Sequence, residues 1–439
     1  MRLYLVASRP TDSVTYGFLP AAARLGLDVT VLTDQPEAHE QAYARVRSSR
    51  ARPFPGRDAG ARADWTGQCP PPRIEPCDVH DYRALIAAAA ALPLPDALFS
   101  NSDHLQAQTA LAAAYLGLPG KDWRSALRAK DKQLMRRRLA ATGVEAVRVT
   151  EIRGTSPALP PDLAYPVVVK PAQGVASEDV VLVRDAARLG ERAAAFFRRH
   201  PADVLLAEEF LPGTLRTLET LGDGSTRWVL GGFRTTVSPP PYFIEERLTW
   251  DPPPPAVRAH AEAALDALGV SFGACHTEYV TGPATRLIEV NDRIIGDHCD
   301  FLLAHVTGLP LFDLILQVHL GERLPPVPPV PPPDRAHAVA EYLLAERPGV
   351  LAATPPACGS GAGHSGVTLA HWPLRQPGEH VTVTGTNRDY LTVISAAGSD
   401  QAAVDAEIAA LRARLRWDIR PEQEQEQEPE PEPEQEPEL

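Results

Sequence analysis

From Phe272 to Asp297 the chain reads FGACHTEYVTGPATRLIEVNDRIIGD, two runs of alternating polar and apolar positions separated by Gly282-Pro283. Period-two alternation marks extended strands whose successive side chains point to opposite faces, so the stretch predicts a hairpin. Glu289, Asn291 and Arg293 then share one face of the second strand, and Ile288 and Val290 turn the other way, into a core. Glu278 precedes Glu289 by eleven residues, a spacing that sets the two carboxylates side by side. Like charges across strands repel, so a fold that keeps both has reason to hold a cation between them. Two carboxylates and an amide oxygen are hard ligands, the kind Mg²⁺ takes when it also carries phosphate. The alternative is an exposed hairpin with solvated charges.

The same patterning predicts the remaining elements. Leu3–Ala7 reads as a strand, Leu19–Leu25 as a helix closed by Gly26, and Val29–Leu32 as a second strand, the start of a parallel α/β unit. Asp34 ends that strand as an acid does in dinucleotide sites, but the first loop lacks GxGxxG, so the unit reads as scaffold. Residues 47–72 read as irregular, Asp81–Leu92 as a helix and Asp96–Ser100 as a strand. Asn101–His104 opens an Ala-rich helix, and the breaker cluster Gly117–Gly120 marks a boundary.

A helix is expected from Lys121 to Thr142, with Lys130, Asp131 and Lys132 early in it and Arg136–Arg138 as a solvated basic turn. Strands follow at Val147–Thr150 and Tyr165–Lys170. A lysine ending a run of buried β residues rarely lacks a partner, and an anionic ligand suits Lys170; the alternative is a side chain snorkelling off the strand end. Ala172–Val183 reads as a small-residue turn, containing Ser177, that can lay backbone N–H groups over phosphates. Val204–Glu209 leads into Glu208-Glu209-Phe210-Leu211-Pro212-Gly213, and Thr214–Leu221 with Arg227–Arg234 reads as an antiparallel pair. Two proline clusters bracket PYFIEERLTW, which is expected as loop or edge. Ala256–Leu268 and Gly308–Leu320 read as helices, Pro325–Pro333 as a stiff spacer. Short strands near 337–343, 366–370, 380–383 and 390–395 and a helix over 400–415 make a small α+β module.

Composition narrows the picture. At 439 residues, 44% hydrophobic and 23% charged, the chain has the make-up of a globular protein of several units. Nine glutamates and no base lie in residues 421–439, so most of the formal charge of −13 belongs to a tail expected to be disordered. Nothing suggests a nucleic-acid partner. No apolar run approaches the roughly 20 residues of a membrane span, and MRLYLVAS reads as a first strand rather than a signal peptide. Five cysteines without metal-ligand spacing fit a reducing, cytoplasmic setting.

In order, the chain presents a lysine helix, a strand ending in lysine, a small-residue flap, Glu-Glu-Phe-Leu-x-Gly, and then Glu … Glu-x-Asn-x-Arg. This order and spacing resembles the ATP-grasp superfamily, which includes biotin carboxylase, D-alanine–D-alanine ligase and the L-amino-acid ligases. The resemblance covers roughly residues 1–415 and implies an α/β and α+β multidomain fold. Its expected parts are an N-terminal parallel α/β domain (1–120), an ATP-grasp core of two α+β subdomains (121–324), a proline-rich linker (325–333) and a small C-terminal module (334–420).

The resemblance also implies roles. Lys132 and Lys170 would bind ATP phosphates, with Ser177 in the flap over them. Glu208, Glu209 and the backbone at Leu211 would read adenine and ribose. Glu278, Glu289 and Asn291 would hold Mg²⁺, with Mn²⁺ an alternative, and Arg293 would face the transferred phosphoryl. Asp292 stands where many members have proline, and the flap is poorer in glycine than is usual. The implied activity is an ATP-dependent carboxylate–amine ligase working through an acylphosphate on amino acids or similar small acids. Its partners would be small carboxylate and amine substrates and, at most, a second copy of the chain. The alternatives are carboxylation through carboxyphosphate, although a Met-Lys-Met biotin-carrier motif is absent, and an ATP-binding protein without catalysis.

Overall fold

The computed structural model describes residues 1–48, 71–154, 163–360 and 366–421. The irregular stretch expected at 47–72 and the tail at 421–439 thus lie almost wholly outside the described residues. The N-terminal unit is a parallel sheet in the order Arg73–Pro76, Asp28–Thr33, Arg2–Val6, Ala97–Phe99. Its strands bury both faces, as parallel strands must: Leu3, Leu5 and Phe99 pack on one side, Tyr4, Val6 and Leu98 on the other. The helix Leu311–His319 seats this unit against the rest of the chain. A Cβ at Gly17 would lie 2.3 Å from the Phe312 ring, so only glycine allows that approach.

The helix expected over Lys121–Thr142 is two helices, Trp123–Lys130 and Lys132–Ala141. Asp131 breaks it: its backbone is extended and its side chain caps the second helix by accepting from Leu134 N at 3.0 Å. The Lys132 N–H, freed from the first helix, donates instead to Ala172 O at 2.9 Å. The break therefore holds Lys132 against the turn that follows Lys170.

That turn belongs to a small antiparallel sheet in the order Val149–Ile152, Leu205–Glu209, Val167–Pro171, Val181–Val183. The helix Ala186–Arg199 covers it through Leu189, Ala193, Phe196 and Phe197. The large sheet has ten strands and starts at the hairpin. Arg286–Asn291 pairs with Phe272–Thr281, then come Thr214–Asp223, Phe233–Val237, Glu245–Trp250, His337–Leu344, Tyr390–Gly398, Thr368–Pro373 and Cys358–Ser360, with Arg227–Gly231 branching from Thr214–Asp223. Glu245–Trp250, expected as loop or edge, is an interior strand. It pairs with Phe233–Val237 on one side and with His337–Leu344 on the other. One sheet therefore runs past the proline segment and joins the C-terminal strands to the core.

The hairpin itself differs in one detail. A bulge at Ile288 sets Tyr279 opposite Leu287, so Leu287 and Val290, rather than Ile288 and Val290, enter the core. A further helix, Cys299–Thr307, precedes the helix expected near Gly308–Leu320. Among the described residues no single helix is long and apolar enough to cross a membrane.

Candidate active site

The hairpin pairs Glu278 directly with Glu289, and His276 with Asn291. Each carboxylate also has a cation of the chain beside it. Lys132 Nζ lies 2.7 Å from Glu289 Oε2 and donates to Gly174 O at 3.1 Å. Asn291 Nδ2 donates to the other Glu289 oxygen at 2.9 Å. His276 stands between Glu219, at 2.8 Å, and Glu278, at 3.4 Å. Burial works against its charge, but Glu219 and then Glu278 raise its pKa to about 10, which makes it an imidazolium. Burial acts to raise both glutamates of the pair. Lys132 overcomes it at Glu289, whose carboxyl is held far below the usual range, while Glu289 adds to it at Glu278, which is pushed up.

Lys170 lies one residue before the end of its strand, Val167–Pro171, and is buried. Its Nζ lies 2.7 Å from Glu208 Oε2, and burial lowers its pKa against the pull of that carboxylate. Arg136 grips the same carboxylate with Nε at 3.0 Å and Nη2 at 3.1 Å, and reaches Glu145 at 3.0 Å with Nη1. Glu208 is held at about 2, since Lys170 and Arg136 outweigh the effect of burial. Both oxygens of Glu208, expected at adenine or ribose, are thus engaged by side chains of the chain itself. Arg136, expected on a solvated face, is 3% exposed, whereas Arg137 and Arg138 are exposed.

Glu209 is less buried and accepts from Arg148 N and Nε, both at 3.0 Å. Leu211 follows the strand and is partly exposed. In the flap, Ala176, Ser177 and Asp179 have φ of 55°, 57° and 55°, a left-handed run without glycine. The Ser177 hydroxyl donates to Phe243 O at 3.1 Å. Arg293 lies just beyond the hairpin strand and donates from Nη1 to Ile294 O at 2.8 Å. Its charge also reaches Asp103, where Lys130 (2.6 Å away) and then Arg293 outweigh burial and keep the carboxyl ionised.

Two groups escaped the sequence reading. Glu245 stands among the acids of the cleft. Burial, then Glu278 and, to a lesser degree, Asp297 and Glu289 push its pKa to about 8, against the pull of His276. The buried pair Ile244 and Leu248 could have marked this strand, but the flanking prolines argued for a loop. The second group is Asp12, whose Oδ2 accepts from Trp372 Nε1 at 2.8 Å and meets His298 Nε2 at 2.7 Å. His298 joins the N-terminal loop to a C-terminal strand, bonding Asp12 and lying against the Trp372 ring. Asp292, in the proline position, makes a buried ion pair with Lys121 at 3.0 Å.

Glu278, Glu289 and the Asn291 amide form an oxygen donor set. Among the described residues no group of three or more His, Cys, Asp or Glu could hold a metal alone. Such a set suits Mg²⁺, which completes its shell with water and phosphate oxygens.

No family model matches the sequence. The uncharacterized protein y4rH of Sinorhizobium fredii is 27% identical over 326 residues, covering 69% of this chain and 64% of that protein. The match thus spans less than two thirds of that relative. Among solved structures, the L-amino acid ligase from Bacillus licheniformis superposes with a TM-score of 0.72 at 20% identity, covering 95% of this chain and 98% of the other. Phosphoribosylglycinamide synthetase from Anaerococcus prevotii gives 0.67 at 14% identity, covering 95% and 99%. The biotin carboxylase–β,γ-ATP complex from Campylobacter jejuni gives 0.65 at 15% identity, covering 95% and 92%. The chain has the ATP-grasp fold that its motifs resemble.

Proposed function

We propose that this chain is an ATP-dependent carboxylate–amine ligase that activates a small acid, such as an amino acid, as an acylphosphate and passes it to an amine. The observation that carries the reading is the Glu278–Glu289 pair with Lys132 bridging Glu289 to the flap carbonyl of Gly174. Phosphoryl transfer needs positive charge and in-line placement more than covalent help. Lys132 and Lys170 supply charge from one wall, and each ammonium has donors to spare for phosphate oxygens. Glu208 fixes Lys170 in place, and the edge formed by Glu209 and Leu211 receives the base and ribose. Moving Lys132 from Glu289 to an incoming phosphate frees Glu289 for the ion. Bound there, Mg²⁺ would offset the charge of the phosphates. Arg293 faces the transferred group, where a planar fork of donors matches its oxygens. The flap excludes water from an intermediate that water would hydrolyse. The likeness in fold to an L-amino acid ligase over almost the whole chain supports this reading.

The test is ADP release with Mg²⁺ across a panel of amino acids and dicarboxylates, singly and in pairs, with the products read by mass spectrometry. ADP release that depends on a carboxylate and yields an amide with a second amine is expected. ADP release that needs only bicarbonate would replace ligation by carboxylation. ATP binding without turnover on any pair would leave a nucleotide-binding protein.

A further inference from the structure

The flap is fastened by a residue far from it in sequence. Asn387 opens a short 3₁₀ turn, Asn387–Asp389, in the C-terminal module, capped by Thr386. Its backbone N–H donates to Ala176 O at 3.2 Å. Its side chain turns to the other wall of the cleft: Oδ1 accepts from Glu245 N at 3.1 Å, and Nδ2 donates to Glu245 Oε2 at 3.2 Å. One residue thus holds the flap backbone and both ends of an acid on which the charges of Glu278 and Asp297 act.

The loop bearing Asn387 is held by its own hydrogen bonds. The buried carboxylate of Asp389 accepts from Thr384 N, at 2.9 and 3.0 Å, and from Gly385 N at 2.8 Å. Tyr390, next in the chain, donates its hydroxyl to Glu245 O at 2.6 Å. Arg388 adds an ion pair to Glu178 of the flap. The flap is the strained side of the contact. Ala176 at φ 55° has neither the freedom of glycine nor a polar side chain to support that conformation, and the carbonyl it presents there is the one Asn387 takes.

We propose that Asn387 is a positioning residue that ties the flap at Ala176 to Glu245, so that the two walls of the cleft are set as one unit. The proposal rests on the reading of the cleft given above, in which the flap covers nucleotide, and Glu245 stands among the acids beside it. It adds that a change at the Glu245 carboxylate is felt in the flap through a residue of the C-terminal module, beside the direct bond from Ser177 to Phe243 O.

Hydrogen–deuterium exchange of the intact chain without nucleotide tests this. Glu178 N and Val180 N, bonded to Val175 O and Ser177 O within the flap, report on it. Asn387→Pro removes both the N–H and the carboxamide, at the first position of a helical turn, where proline is tolerated. It is expected to speed exchange over 175–181 by about five- to tenfold, the weight of one or two hydrogen bonds. Exchange over the strands Thr214–Asp223 and Phe272–Thr281 stays unchanged, which separates a local release from general loosening. Glu245→Ala leaves the Asn387 N–H and the bond from the residue-245 N–H to Asn387 Oδ1 in place, and is expected to speed the same flap peptide by about twofold as Asn387 loses its second side-chain contact, the one to the Glu245 carboxylate. Unaltered flap exchange in Glu245→Ala overturns the link, whether or not Asn387→Pro folds. Nucleotide affinity of the unmodified chain, measured by calorimetry, tests the reading of the cleft separately.

Discussion

Lys132 and Glu289 meet at 2.7 Å across the cleft, the lysine from the first turn of a helix and the carboxylate from the outer strand of the hairpin. The contact exists because Asp131 interrupts the preceding helix and turns the Lys132 backbone toward Ala172. A buried ammonium on a half-buried carboxylate is a stable resting arrangement, and it is also one that an incoming phosphate can exchange.

Glu289→Gln removes one of two charged oxygen donors from a site that needs several. ADP release is expected to fall by about two orders of magnitude or more at saturating Mg²⁺, with the fold retained. Near-normal turnover, measured beside a thermal melt, would remove the hairpin from the chemistry.

Glu208 makes a prediction about stability and pH. Its folded pKa of about 2 lies below its unfolded value near 4.5, so the carboxylate stabilises the fold fully above pH 4.5 and progressively less as pH falls toward 2. The shift corresponds to about 3 kcal/mol. Glu208→Gln leaves Lys170 and Arg136 buried without their shared anion, and is expected to lower stability by about that amount at pH 7. The gap between variant and parent, followed by urea unfolding, closes as pH falls through 4.5. A gap that stays constant to pH 3 would mean that the network does not depend on that charge.

What the sequence disclosed, and what it hid, follow from distance along the chain. The pairing of Glu278 with Glu289 was legible because period two and a turn are local signals. The bulge at Ile288 was not, because both Leu287 and Ile288 are apolar and only packing against Tyr279 decides between them. Arg136 read as a surface residue because its second anion, Glu208, lies 72 residues away. Glu245 stayed hidden for a related reason: one of the two strands that flank its own, His337–Leu344, comes after a proline run that reads as a break. Asp131 was visible as an acid, but the helix-forming residues on either side masked its role as a cap.

Lys121 and Asp292 are both almost fully buried, and the lysine also donates to the carbonyl of Asp292 itself. Burial raises the Asp292 carboxyl and Lys121 opposes it. Lys121→Met would strand a carboxylate inside the protein and is expected to cost about 3 to 5 kcal/mol. Adding Asp292→Asn should return part of that loss, since the double variant leaves no unpaired charge. Thermal unfolding of the two single variants and the pair checks this. Additive losses would show that the pair is not coupled.

Arg293 separates catalysis from binding. It lies two residues beyond Asn291, half-buried, with its backbone N–H on Asn291 O at 2.7 Å and one guanidinium nitrogen on Ile294 O. Those contacts fix the root of the side chain and one edge of the fork, leaving the remaining donors for oxygens in the cleft. Charge grows there on the transferred phosphoryl and then on the acylphosphate, which a planar guanidinium meets in two places and an ammonium in one. Arg293→Lys should therefore lower turnover by about a hundredfold or more while ATP affinity changes by less than about threefold, the signature of an interaction made mainly in the transition state. Calorimetric ATP titration beside steady-state ADP release makes the comparison. A variant that melts early, binds ATP poorly and turns over in proportion would instead make Arg293 a tie between the hairpin and the segment that follows it.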